Sequence, residues 1–83
     1  MCTYSTEKVT LERSSGKTRE GWRPMNEATV YYDHPVHAPD AHTVNIDFLG
    51  ADPSSRVAVE LSLDSARELL AALEVTVERA ALH

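Results

Sequence analysis

Only one cysteine, Cys2, occurs in the chain, so no disulfide can form within it, and a reducing compartment is its natural setting. Long apolar runs are missing too. Nothing approaches the ~20 residues needed to cross a bilayer, and the opening MCTYSTEK lacks the apolar stretch of a signal peptide. These absences set the expectation of a cytoplasmic protein that is neither secreted nor inserted in a membrane. Basic residues are sparse as well: 8 Lys and Arg stand against 13 Asp and Glu, for a net charge of -5. The cations, from Lys8 to Arg79, are scattered among acids, so no basic stripe faces a phosphate backbone and nucleic-acid binding is disfavoured. Internal repeats, linkers and low-complexity segments are also lacking.

What remains is a chain of 83 residues with the length of a single domain, 1–83. One hydrophobic core is marginal at this size, and small domains commonly add a disulfide, a metal or a partner chain. With an internal disulfide ruled out, a metal or a homo-oligomer, simplest as a dimer, is expected.

Period-two alternation marks four strands. Val9 and Leu11 close a first strand over Thr3 to Leu11, and Ser14 to Gly21 reads as a polar connection, with Trp22 and Pro24 where the chain turns back. Ala28, Val30 and Tyr32 alternate with polar neighbours up to His34; Val44, Ile46 and Phe48 repeat the pattern from His42. Gly50 to Ser55 is a turn, after which Val57, Val59 and Leu61 give the fourth strand.

From Leu63 the period lengthens. Leu63, Ala66, Leu70, Leu73 and Val77, supported by Leu69 and Ala80, form one face of an amphipathic helix that Ser62 or Asp64 can cap. The fold class is therefore α+β: a four-stranded, mostly antiparallel sheet followed by one C-terminal helix packed on a face, β-β-β-β-α. Pairing Tyr32 with Val44, Val30 with Ile46 and Ala28 with Phe48 puts every apolar pair on one face. Val57, Val59 and Leu61 continue that face opposite Phe48, Ile46 and Val44. In the first strand Val9 and Leu11 have the wrong parity relative to Cys2 and Tyr4, and a bulge near Thr6 or Glu7 would reconcile them.

The concentrated chemistry is the segment DHPVHAPDAH, with His34, His37 and His42 around one hairpin. Neutral imidazole is a common ligand for zinc and suits copper, iron and nickel; three such donors leave a fourth position for Cys2, water or substrate. Pro35 and Pro39 stiffen the loop, and Asp33, Asp40 and Asp64 could orient the rings. The leading expectation is a small metal-binding protein with His34, His37, His42 and Cys2 as ligands, zinc first among the metals, and with a metalloenzyme as one form of it. The helix N-terminus at the same end of the sheet would favour a small anionic ligand.

Other readings stand beside it. The histidines could be solvated loop residues or rings bonded to carboxylates at the edge of the core. The chain could instead be a metal-free homo-oligomer binding or tailoring a small molecule between sheet and helix. It could also be a structural or interaction module that dimerises through the face carrying Thr29, Tyr31, Asn45 and Leu49. Ser15-Gly16-Lys17-Thr18 echoes the tail of a phosphate-binding loop, but the first required glycine is Leu11 and no helix pattern follows. Tyr4, Tyr31, Tyr32 and Trp22 are read as packing or interface residues, and His83 as a solvated chain end.

The start MCTY, the Gly21-Trp22 step and the run VYYDHPVHAPDAHTVNIDFLG together resemble an uncharacterised family of short bacterial proteins, mostly from actinomycetes, with no assigned activity. The resemblance covers nearly the whole chain. It implies that Cys2, His34, His37 and His42 belong to the family pattern; it assigns them no role.

Overall fold

The computed structural model describes residues 3–33 and 42–83. The chain forms β1 (Thr3–Thr18), β2 (Gly21–Asp33), β3 (Thr43–Leu49), β4 (Arg56–Ser62) and α1 (Leu63–Ala81). The strands make one antiparallel sheet in the order β1-β2-β3-β4. The α+β architecture expected from the alternation is the one observed, as is its register: Ala28 faces Phe48, Val30 faces Ile46 and Tyr32 faces Val44, with Phe48, Ile46 and Val44 opposite Val57, Val59 and Leu61.

The first hairpin departs from expectation. Ser14 to Thr18 is strand rather than connection, and β2 starts at Gly21, because this stretch of β1 lies on a sheet edge where polar side chains meet water. The reversal needs only Arg19 and Glu20 between the paired Thr18 and Gly21. Gly21 has φ 104°, a conformation that side-chain-bearing residues rarely adopt. Thr18 Oγ1 fastens the turn, accepting from Glu20 N at 3.2 Å and donating to the Gly21 carbonyl at 3.0 Å. Pro24 lies beyond the reach of β3, whose last partner on β2 is Glu27, so its missing N–H costs no ladder bond to that strand.

The expected bulge at Thr6 or Glu7 is displaced. Register shifts fall between Thr3 and Ser5 and between Thr10 and Ser14, the second containing Arg13 at φ 51°. This irregularity bends the long hairpin until β1 reaches β4 at the opposite edge. A Cβ placed on Gly16 would lie 2.9 Å from Met25 Cε and 3.5 Å from Val57 Cγ2, so the missing side chain is what lets the two edges close over Met25. Gly50 is similarly confined, since a Cβ there would sit 2.5 Å from the Pro24 carbonyl oxygen.

This closed end holds the best-buried apolar residues. Met25 is 3% exposed and Ala28 is 6% exposed, and they are the only buried hydrophobic residues among those described. The turn that joins β3 to β4 is tied to itself: Asp52 Oδ1 accepts from Ser54 N at 2.9 Å, and Gly50 N donates to the Ser55 carbonyl at 2.7 Å.

At the other end β4 runs directly into α1. Ser62 is the N-cap, its hydroxyl accepting from Ser65 N at 3.2 Å, with Asp64 in the first turn and Arg79 in the last to suit the helix dipole. Mid-helix, Thr76 Oγ1 donates to the Ala72 carbonyl at 2.8 Å, which satisfies the hydroxyl within the helix.

Candidate functional site

The register brings His42 beside the Thr43–Ser62 pair, so the helix N-terminus does begin at the His42 end of the sheet. Beyond that, the expected histidine site is not supported. His42 is exposed rather than on a buried face, and its ring leans on Tyr32 with centroids 5.8 Å apart and planes tilted by 55°. An exposed imidazole packed on an aromatic ring needs no ion to offset its burial, so the placement of His42 gives the metal reading no support. Cys2, His34 and His37 lie outside the described residues, as do Pro35, Pro39 and Asp40. Among the described residues no group of three or more His, Cys, Asp or Glu is placed to hold a metal ion. The expectation of a metal-binding protein is corrected accordingly.

The sheet face away from the helix also differs from the dimer surface expected for it. Asn45 is buried there, its Oδ1 without a hydrogen-bond partner, and Asp47 pairs with Arg56 at 3.4 Å. Asp47 and Arg56 put charge on this face, whereas the exposed leucines of α1 lie over the other one.

There α1 leans over the sheet without closing on it. A groove of 390 Å³ runs between them, with Val30, Val44, Ile46 and Leu61 as its sheet wall. The helix wall is Leu63, Ala66, Leu69, Leu70 and Leu73, joined by Arg67. No residue of α1 is buried. Leu70 is 63% exposed, Leu73 57% and Val77 58%, although all three belong to the apolar stripe that the sequence marks on this helix. A leucine side chain contributes about 1.5–3 kcal/mol when fully buried, so the stripe leaves much of its stabilisation unrealised in the isolated chain.

A second concavity at the hairpin tip brings Lys17, Arg19 and Arg56 near one another, with Glu20 among them. Its charges are exposed, and Arg56 is already engaged by Asp47. No helix of the described residues is long and apolar enough to cross a membrane.

No curated protein and no solved structure matches the chain. A family model does match, over residues 1–83, so the sequence resemblance carried by the MCTY start and the histidine-containing motif is borne out at the level of family. The chain belongs to a family of unknown function, DUF6295.

Proposed function

We propose that this protein is an interaction module whose working surface is the apolar groove between α1 and the sheet, and that the groove receives an amphipathic helix from another polypeptide. The observation that carries this reading is the exposed stripe Leu70, Leu73 and Val77 continuing the wall of the groove along α1. A small-molecule pocket would place several polar groups to fix its ligand. Among the described residues the groove's only charged lining residue is Arg67, and apolar surface extends past the groove to Val77. An elongated apolar strip of that kind matches the recognition of one helix by another surface.

Two measurements on the full chain test it: binding of a hydrophobic fluorescent dye, and association state by sedimentation. A chain using this face either associates or, when monomeric, binds the dye. Leu70→Glu with Leu73→Glu should abolish both while leaving the strand signal in circular dichroism intact. A wild-type chain that is monomeric and dark to the dye would show α1 closed over the sheet and the reading wrong.

A further inference from the structure

Resting on that reading, we propose that the helix received by the groove is α1 of a second copy, packed antiparallel to the first. Three observations point to it. The first is area: the chain exposes 6605 Å², whereas a compact monomer of 9.2 kDa exposes about 4,900 Å². The excess is about 1,700 Å² per chain, and covering about half of it on each copy already reaches the roughly 1,600 Å² of a standard stable interface. Radius of gyration agrees, 14.4 Å against about 12 Å for a compact chain of this length.

The second is spacing. Leu63, Ala66, Leu70, Leu73, Val77 and Ala80 follow one another at alternating steps of three and four, the heptad repeat of helices that pack side by side. Ala66 and Ala80 are small enough for a close approach. An antiparallel pair centred between Leu70 and Leu73 sets Leu70 against the partner's Leu73, Ala66 against the partner's Val77, and Leu63 against the partner's Ala80. Each layer then matches a larger side chain with one that fits beside it.

The third is charge. Arg67 and Glu74 occupy equivalent flanking positions of successive heptads, one on each side of that centre. Antiparallel packing brings Arg67 of one copy beside the partner's Glu74 and, by symmetry, Glu74 beside the partner's Arg67. A parallel pair would set Glu74 beside the partner's Leu69 instead, with no opposite charge to meet. The intrahelical contact of Arg67 with Asp64, 3.8 Å long and exposed, is weak enough to be exchanged.

Sedimentation equilibrium of the untagged full chain decides the matter. Wild type should be a dimer. Arg67→Glu and Glu74→Arg, each putting like charges together twice, should weaken it about tenfold at low salt. The double variant Arg67→Glu/Glu74→Arg should recover to within about threefold of wild type, because only a direct pair is rescued by exchange. A double variant as weak as either single one overturns the antiparallel pairing. A wild-type chain that stays monomeric at about 100 µM yet binds the hydrophobic dye overturns self-pairing and leaves the interaction reading standing with another partner. A chain monomeric and dark to the dye removes both.

Discussion

The two ends of this sheet solve the same problem differently. At the hairpin tip the backbone closes on itself: a bulge bends β1, Gly16 clears the way, and Met25 is sealed between edges that are far apart in strand order. At the α1 end the cover is a helix that follows its last strand directly and touches the sheet with little of its apolar stripe. Closure by backbone geometry consumes the apolar face it covers. Cover by an overhanging helix leaves that face available, and the proposed partner surface is placed there.

Truncations at the two ends break the comparison most sharply. Met25→Ala should cost about 2–4 kcal/mol at any protein concentration, since it opens a cavity where the surroundings are held by backbone on both sides. Leu73→Ala, more than half exposed in the single chain, should cost under about 1 kcal/mol in dilute solution. Its cost should grow with protein concentration if a second copy buries it. Urea titrations at two concentrations a hundredfold apart give both numbers; equal, concentration-independent losses would mean the ends do not differ as described.

Ser62→Ala comes next in size. It removes the acceptor for Ser65 N at the junction where β4 becomes α1, and caps of this kind are worth about 1 kcal/mol. Because few other contacts hold the helix to the sheet, the loss should show as faster amide exchange in the first turn of α1 with no change around Met25. Uniform acceleration across the sheet would show instead that helix and sheet unfold as one unit.

How much of this was legible in the residues follows the same division. Strict alternation in Val30, Tyr32, Val44 and Ile46 carried the register of the central strands, because a one-residue slip would turn the whole apolar set to water. The extension of β1 through Ser14 to Thr18 was illegible: an edge strand bonded on one side tolerates polar side chains, so its composition looks like a loop. The position of the bulge was equally hidden, since Arg13 at φ 51° carries no compositional mark such as glycine or asparagine. For the site, the histidines drew attention by chemistry, yet pattern alone could not say that His42 would be exposed against Tyr32. The stripe of α1 was read correctly as the apolar face of a helix lying on the sheet, but its exposure was not legible. Periodicity gives the direction of a helix face and says nothing of how much surface lies opposite to receive it.

The smallest expected effect lies at the closed end, in the turn from Gly50 to Ser55. Asp52 accepts from both the amide and the hydroxyl of Ser54, and those bonds favour its ionised form, holding its carboxyl below the ordinary value of 3.8. Ionised Asp52 therefore stabilises the folded turn fully above that value, and the contribution is lost as the pH falls through the lowered folded value. Asp52→Asn keeps a neutral acceptor for Ser54 and cannot titrate. The difference in melting temperature between wild type and this variant should be small and steady near neutrality and should shrink as the pH drops below 3.8. A difference that widens in wild type's favour on acidification would reverse the sign and show that Asp52 is held protonated by its neighbours. Salt should barely change the result, because the two hydrogen bonds are the main causes of the shift and the charge of Arg23 is the smallest.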